Sequence, residues 1–309
     1  MRDPIETLRF DPAAGAVVRT PDGEGYGYWA GGHKVSYQDG VFALFYRRRS
    51  PLERGRGGAC AVALSEDGIH FDDVWTATKE DLASTSIEVG HALRAGDRWR
   101  LYVSYEFAPT GEWRIDLIEA DAPERFRAQD RRTVLHPRDF GIGWIKDPVV
   151  MLLEEGPTRI LAEAPARIGP TADGPVVRAA PQGATVLADS ADGRYFPTIE
   201  YVFEAPASET WHGRRARINS VFPWDGGVVA TFDGGRTSYD NYEEWAGLAA
   251  GPDVHRLERL ETGGPWVRSP HGCVRYVYAL PVEGRMFFYY EYTRADLSHD
   301  LRVAVVDLG

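Results

Sequence analysis

The stretch KVSYQDGVFALFYRRR, residues 34–49, contains the structural unit that the rest of the chain repeats. An apolar run leads to Asp39-Gly40, and a second run rich in β-branched and aromatic residues follows it. Aspartate-glycine between two such runs predicts a β-hairpin, because glycine readily adopts the positive φ that a tight two-residue turn requires. The same pattern recurs around four further glycines, which are Gly96, Gly156, Gly226 and Gly284.

The spacing of these hairpins predicts the architecture. Successive turn glycines, beginning at Gly40, are 56, 60, 70 and 58 residues apart. Five hairpins at a nearly constant interval indicate a radial array of small sheets, so the sequence predicts an all-β fold, a five-bladed β-propeller with about four antiparallel strands in each blade. We expect one domain over residues 1–309, with blades at 31–80, 81–138, 139–205, 206–264 and 265–309.

The N-terminal residues are expected to close this ring. The last repeat ends at its third strand, residues 301–306, which leaves one sheet edge without a partner. An exposed edge is a liability in a β-protein. We therefore predict that the strand Ala16–Arg19, within residues 15–20, completes the last blade.

Charge and cysteine content restrict the class of protein. With 35 basic and 46 acidic residues the formal net charge is −11, which argues against binding to nucleic acid or an anionic membrane. The local cluster Arg47-Arg48-Arg49 could still hold one anionic group. No secretory signal or membrane-spanning run is visible, so a cytoplasmic protein is expected. Cys60 and Cys273 lie in strand-like text and are predicted to be buried thiols.

A propeller brings residues that are far apart in sequence to one opening. The leading ends of the innermost strands, residues 29–34, 87–91, 144–148, 216–219 and 269–273, should meet at the mouth of a central channel. Polar residues that converge on a concave pocket are the default site hypothesis. The candidate catalytic residues in these segments are Asp147, Glu88, His33 and His91. The candidate substrate-binding residues in or beside them are Trp29, Trp144, Arg217, Asn219, His271 and Arg275.

The returning strands add acids at corresponding positions. Glu106, Glu163, Asp233 and Glu291 each lie at the same end of the second strand in their repeat. They could pair with cations such as Arg47 as structural braces, or one could act as an acid or base. Glu106 and Glu291 are included among the candidate substrate-binding residues.

Two motifs resemble those of known enzymes. The turn SEDGIHF at residues 65–71 is similar to the Ser-x-Asp-Gly-x-x-Phe turn of the five-bladed propeller glycosidases, and Lys146-Asp147-Pro148 matches their inner-strand openings. The chain thus resembles glycoside hydrolase families 43, 32, 68, 62 and 130. The resemblance implies an enzyme acting on a carbohydrate or glycosylated small molecule, with Asp147 as general acid and Glu88 or a histidine as base.

The sequence departs from that pattern in the first two blades. Families 43 and 32 place an aspartate at the first-blade opening, where this chain has Gly31-Gly32-His33. The second opening, where Asp-Pro is expected, contains Glu88 instead. Family 130 implies a variant in which Asp147 is the acid and phosphate is the nucleophile. Its anion-holding residues here would be Arg217, Arg275 and His271.

Two other classes of function remain open at this stage. A lyase, cyclase or isomerase of small-molecule biosynthesis could use His33, His91 and His271 for proton transfer, and a sugar-binding protein would need no catalysis. The same histidines could instead make structural hydrogen bonds or bind a divalent metal; no other cofactor is expected. Trp29 and Trp144 are either sugar platforms or core residues. Motifs for nucleotide binding and serine hydrolysis are absent.

Overall fold

The structure is a computed structural model that describes residues 3–153, 156–167, 183–237, 241–260 and 263–308. Helix is confined to short segments in this part of the chain. The N-terminal α-helix α1 (Pro4–Thr7) is capped by Asp3, whose carboxylate accepts a hydrogen bond from the Ile5 amide. Single-turn 3-10 helices occur at Leu52–Arg54, Pro123–Arg125, Ala128–Asp130, Pro137–Phe140 and Asn241–Glu243. None of the described helices has the length and apolar character needed to cross a bilayer.

Twenty strands form the rest of the regular structure. The first five are β1 (Ala16–Arg19), β2 (Trp29–Gln38), β3 (Val41–Arg49), β4 (Gly57–Ser65) and β5 (Asp72–Thr78). The next four are β6 (Ser84–Ala95), β7 (Arg98–Phe107), β8 (Glu112–Ala120) and β9 (Arg132–Leu135). They are followed by β10 (Lys146–Leu152), β11 (Thr158–Pro165), β12 (Gly183–Ser190) and β13 (Glu200–Glu204). The last seven are β14 (Arg217–Trp224), β15 (Gly227–Gly235), β16 (Glu244–Gly251), β17 (Glu258–Arg259), β18 (Val274–Val282), β19 (Arg285–Thr293) and β20 (His299–Asp307).

These strands pair as four-stranded antiparallel meanders. Strands β6–β9, β10–β13 and β14–β17 form three separate sheets. The fourth sheet contains two such units, β2–β5 and β18–β20 with β1, joined through one parallel pair between Trp29 and His299. The innermost strands contact one another in the order β2, β6, β10, β14, β18 and back to β2. The predicted all-β propeller is confirmed.

The predicted ring closure is also confirmed. Strand β1 runs antiparallel to β20, where Ala16 faces Val303 and Val17 faces Arg302. The N-terminal strand therefore covers the outer edge of β20. Because the two ends of the chain share one sheet, the ring is fastened by backbone hydrogen bonds rather than by side chains alone.

The hairpin turns have the backbone that their sequence predicts. Asp39 and Gly40 have φ values of 53° and 80°, and Asp225 and Gly226 have values of 49° and 85°. Two consecutive residues with positive φ are typical of the turn that suits the right-handed twist of the flanking strands. The residues just before Gly156 lie outside the described part of the chain, although β10 and β11 do pair there.

Neighbouring sheets are held together by the Ser-x-Asp-Gly turns. In the first, Ser65 Oγ accepts a hydrogen bond from the Gly68 amide, and the Gly68 carbonyl accepts one from the hydroxyl of Tyr289. An equivalent turn presents the Gly193 carbonyl to the hydroxyl of Tyr102 at 2.8 Å. A side chain on Gly68 would lie 2.9 Å from the Tyr289 oxygen, so glycine permits the close approach. Both cysteines are buried free thiols, as predicted.

Candidate functional site

All five inner strands contain an irregularity at the same level. The register shifts between Gly31 and Lys34 in β2, and equivalent shifts interrupt β6, β10, β14 and β18. Bulges of this kind re-aim side chains and are common beside active sites. The residues at these shifts include Gly32, Glu88, Asp147, Asn219 and Tyr276. Three of them, Gly32, Asp147 and Tyr276, have left-handed backbone, with φ of 57°, 58° and 53°.

A cavity of about 420 Å³ opens beside these bulges. Its volume falls within the range of small-molecule sites. Every one of the five four-stranded units contributes to its wall, which matches the predicted convergence at one mouth. The lining consists of Arg49, Leu52, Arg56, Glu88, Trp113, Trp144, Lys146, Glu163, Gly183, Arg215, Arg217, Asn241, Glu244 and Tyr276.

Cross-strand ion pairs repeat at one register position beneath the cavity. Lys146 faces Glu163, Arg217 faces Asp233 and Arg275 faces Glu291. The charged atoms of these pairs are separated by 3.3, 2.7 and 2.7 Å respectively. The acids of the returning strands are therefore placed as braces between the first and second strands of three units.

Glu106 differs from the other acids of the returning strands. It is partly exposed, its carboxylate accepts a hydrogen bond from Thr85, and it is not part of the cavity lining. Its cross-strand neighbour is Ser86 rather than a cation. Lacking a buried partner, Glu106 stays at the surface.

Arg217 is the centre of the buried charges. Its guanidinium lies 2.7 Å from Asp233, 2.8 Å from Glu244 and 3.1 Å from Asp147. Glu163 is 3.5 Å away, and the ring of Tyr276 stacks 3.8 Å from the guanidinium carbon. One arginine thus neutralises several carboxylates that could not otherwise remain ionised inside the protein.

Asp147 lies directly beneath the cavity lining. Its Oδ2 is 3.1 Å from Arg217, 3.5 Å from Lys146 and 3.5 Å from the hydroxyl of Tyr276, and all three of these residues line the cavity. Burial raises the pKa of Asp147, and the two cations oppose this rise without cancelling it. Its Oδ1 has no hydrogen-bond partner in the described part of the chain. Asp147 is therefore suited to hold a proton.

Glu88 has the opposite character. It lines the cavity, and its carboxylate lies 3.0 Å from Arg47, 3.5 Å from Arg49 and 3.9 Å from Arg56. Burial alone would raise the pKa of Glu88, but the charges of these arginines and of Lys146 outweigh it and hold the pKa below its ordinary value. The cavity therefore combines one ionised carboxylate with a second carboxyl that retains its proton more readily.

The structure explains why the first blade has no aspartate. A Cβ on Gly32 would lie 2.7 Å from Arg47 Nε, and a Cβ on Gly31 would lie 2.1 Å from Cγ of Glu291. The Gly32 amide also donates a hydrogen bond to Glu291 at 2.7 Å. Arg47 and Glu291 thus fill the space where a side chain would stand.

The three candidate histidines do not share the cavity. His33 and His91 are buried and absent from its lining, and burial lowers the pKa of each to about 3, so both are neutral near pH 7. The Val150 amide donates a hydrogen bond to His91 Nδ1 at 3.0 Å, which is a structural role. His271 is exposed. Across the described residues, no group of three or more His, Cys, Asp or Glu side chains is arranged to hold a metal ion.

The remaining predicted residues are divided between the cavity and the core. Trp144 lines the cavity beside Lys146. Trp29 is buried between the guanidinium groups of Arg49 and Arg275, at 4.3 and 4.4 Å from their carbons. Asn219 is buried, and neither atom of its side-chain amide has a partner in the described chain.

Sequence reasoning missed several lining residues. Trp113 and Glu244 lie at the start of third strands, and Arg56 lies in a loop, so none of them is in an inner-strand segment. Tyr276 lies beyond the predicted segment, and only the register shift in β18 brings it beside Asp147. The charged character of position 146 was visible in the Lys-Asp-Pro motif, but its pairing with Glu163 was not.

Lys34 is a further buried cation on the ring axis. Its Nζ lies 5.7 Å from the ring centre of Tyr276 and 5.4 Å from that of Tyr278, with no hydrogen-bond partner among the described residues. Burial lowers the pKa of Lys34 to about 7. A lysine of this kind costs stability whenever it must be charged in the folded protein.

Replacing Lys34 with methionine is expected to change how stability depends on pH. Between about pH 7 and 10.5 the unfolded chain holds the Lys34 proton more tightly than the folded chain does. The unfolding free energy of the wild type should therefore rise relative to Lys34→Met by about 1.4 kcal/mol per pH unit as pH increases through this window. Urea unfolding of both proteins from about pH 7 to 9.5 measures the difference. Parallel curves for the two proteins would contradict the assignment.

The fold and its axial cavity place the chain with the β-propellers found among glycoside hydrolases. The protein BT0996, in a complex with RGII, is similar with a TM-score of 0.73 and 13% identity, over 97% of this chain and 93% of its own. A β-1,2-mannobiose phosphorylase from Listeria innocua gives a TM-score of 0.62 and 14% identity, over 94% and 93% of the two chains. The GH43_1 enzyme from Xanthomonas citri complexed with xylotriose gives a TM-score of 0.64 and 13% identity, over 97% and 92%. At these identities the likeness establishes the fold. No family model and no curated protein matches the sequence.

Proposed function

We propose that the protein is a carbohydrate-active enzyme that cleaves a glycosidic bond in the axial cavity. The observation that carries this proposal is the contrast between two carboxyl groups at one site. Burial raises the pKa of Asp147, whereas the surrounding arginines lower that of Glu88. Titratable groups whose pKa values are moved apart in this way are typical of an acid and its ionised partner.

The proposed reaction assigns a role to each carboxyl. Asp147 donates its proton to the glycosidic oxygen as the bond between that oxygen and the anomeric carbon breaks. Glu88, as a carboxylate, stabilises the positive charge that develops on the sugar and accepts a proton from the water that adds to the anomeric carbon. The rings of Trp113 and Trp144 line the same cavity and offer flat apolar faces to the sugar.

Other functions receive less support from the geometry. Proton transfer by histidine is disfavoured because His33 and His91 lie outside the lining and His271 is exposed. The phosphate site suggested by family 130 depends on Arg217 and Arg275, yet both already contact buried carboxylates. Binding without turnover would not require a carboxyl whose pKa is raised.

A panel of aryl glycosides tests the proposal. The panel should include neutral sugars and uronic acids, each assayed with and without inorganic phosphate, with release of the phenol and the sugar product both measured. We expect release of a free sugar from at least one glycoside in the absence of phosphate. A sugar phosphate formed only when phosphate is present would replace hydrolysis with phosphorolysis. No release from any member would contradict the proposed function.

A further inference from the structure

The cavity has an excess of positive charge in an acidic protein. The chain carries a formal charge of −11, yet the lining includes five cations and only three carboxylates. The cations are Arg49, Arg56, Lys146, Arg215 and Arg217, and the carboxylates are Glu88, Glu163 and Glu244. This local reversal of charge favours an anionic ligand.

The excess lies on the side of the cavity formed by Arg49 and Arg56, which we term the arginine wall. Both residues approach Glu88, but at 3.5 and 3.9 Å these ion pairs are too long for hydrogen bonds. The closer contact to Glu88 is made by Arg47 at 3.0 Å. Neither guanidinium of the wall donates a hydrogen bond to another residue in the described part of the chain.

Arg49 is buried in this position. Its side chain is only 7% exposed and stacks on the ring of Trp29 at 4.3 Å. Burial together with the neighbouring positive charges, Arg47 among them, lowers the pKa of Arg49 to about 10, and the single carboxylate of Glu88 does not compensate. A buried cation with unused donors is costly unless a partner of opposite charge binds it.

The backbone places Arg56 at the same wall. Arg56 has a left-handed φ of 57° and follows Gly55, whose φ is 96°. The turn is fixed because the Arg56 amide donates to the Pro51 carbonyl at 3.2 Å and the Arg56 carbonyl accepts from the Ser50 amide at 3.3 Å. Non-glycine residues persist in this region of backbone where the surroundings determine it. The loop thus presents Arg56 beside Trp113 at the edge of the cavity.

We propose that the arginine wall binds the carboxylate of an acidic sugar, so that the substrate contains a uronic acid residue. This inference depends on the proposed function for its meaning in catalysis. A planar carboxylate accepts paired hydrogen bonds from guanidinium groups, and Arg49 and Arg56 both have donors available. A phosphoryl group offers related oxyanion chemistry, and the experiment below separates the two.

Direct binding measurements test this inference without requiring turnover. Calorimetric titration of the full chain should compare glucuronic acid with glucose, galacturonic acid with galactose, and both pairs with inorganic phosphate. We expect at least one acid to bind about tenfold or more tightly than its neutral partner, since charge-assisted hydrogen bonds are worth that much. The preference should weaken as salt is added.

Substitution of Arg56 identifies the site. Asparagine and glycine both tolerate the left-handed backbone, so Arg56→Asn and Arg56→Gly should fold and should lose about tenfold in affinity for the acid while any binding of the neutral sugar is unchanged. Arg54→Gln is the matched control, because Arg54 is exposed on the same loop and lies outside the cavity lining. It should bind the acid as the wild type does.

Each other outcome has a definite meaning. Equal affinity for acid and neutral sugar, or an acid preference that survives in both Arg56 variants, would overturn the inference. Binding of phosphate that depends on Arg56, without binding of either uronic acid, would assign the wall to a phosphoryl group and also overturn it. Binding of a uronic acid that depends on Arg56, together with no cleavage of any glycoside, would refute the proposed function while leaving the arginine wall intact.

Discussion

Replacing Asp147 with asparagine should lower kcat by about two to four orders of magnitude on glycosides with poor leaving groups. The amide cannot donate the proton that the leaving oxygen requires. Asparagine also fits the site in other respects, since it has nearly the volume of aspartate and tolerates the left-handed φ of 58° at this position. Asp147→Asn therefore removes the acid while preserving the backbone.

The dependence on the leaving group distinguishes acid catalysis from a positional effect. Aryl glycosides whose phenol is strongly acidic need little protonation, so Asp147→Asn should impair their cleavage far less. The wild-type rate should fall as pH rises through the raised pKa of Asp147, because the acid must be protonated, and the variant should lack this decline. Values of kcat/KM for a series of phenols at several pH values measure both effects.

A matched aspartate provides the control. Asp225 also has left-handed backbone, with a φ of 49°, but it lies in the turn between β14 and β15. Asp225→Asn should retain wild-type kinetics. An equal loss for all phenols in Asp147→Asn would indicate that Asp147 only organises its neighbours. Unchanged activity would exclude it as the general acid.

Replacing Arg217 with methionine should destabilise the fold by about 3–5 kcal/mol. The substitution leaves Asp147, Glu163, Asp233 and Glu244 without the guanidinium that all four approach within 3.5 Å. Buried carboxylates without a counter-charge must either remain unpaired or take up protons, and both reduce stability at neutral pH. Urea unfolding near pH 7 measures the loss.

Arg159 offers a control with the same local arrangement. It faces Asp189 across β11 and β12 and contacts both carboxylate oxygens, at 2.8 and 2.9 Å, but the pair is partly exposed. Arg159→Met should lose no more than about 1 kcal/mol, as is usual for surface ion pairs. Similar losses for the two variants would show that the central cluster contributes little. If Arg217→Met cannot be purified folded, thermal melting of Arg217→Lys gives the comparison, with a smaller loss expected.

Local chemistry explains how much of the fold could be predicted. Asp39-Gly40 and Asp225-Gly226 specify tight turns because their backbone requirement is met within two residues. The repetition of such turns indicates a ring of sheets, and the unpaired edge after the third strand of the last repeat indicates that Ala16–Arg19 must close it. These inferences need only short-range geometry and the count of strands.

The site was predictable only in part for the same reason. Glu88, Trp144 and Arg217 were placed at the cavity because inner strands must converge in a propeller. Glu106 and Glu163 look equivalent in sequence, yet Glu163 is buried against Lys146 and Arg215 whereas Glu106 has a serine opposite it and stays partly exposed. Which acid becomes buried depends on the residue that the neighbouring strand supplies.

Residues close together in the chain were enough to specify the turns, the repeating sheets, the closing strand and the lack of an aspartate at Gly31-Gly32. The state of the charges was settled by folding alone, because the pKa of Asp147 or Glu88 depends on burial and on cations from other sheets. Folding likewise brought Arg56 from a loop to the same wall as Arg49 and separated His271 from the buried histidines. Backbone turns depend on adjacent residues, whereas electrostatic environment is a property of groups that meet only when the ring is complete.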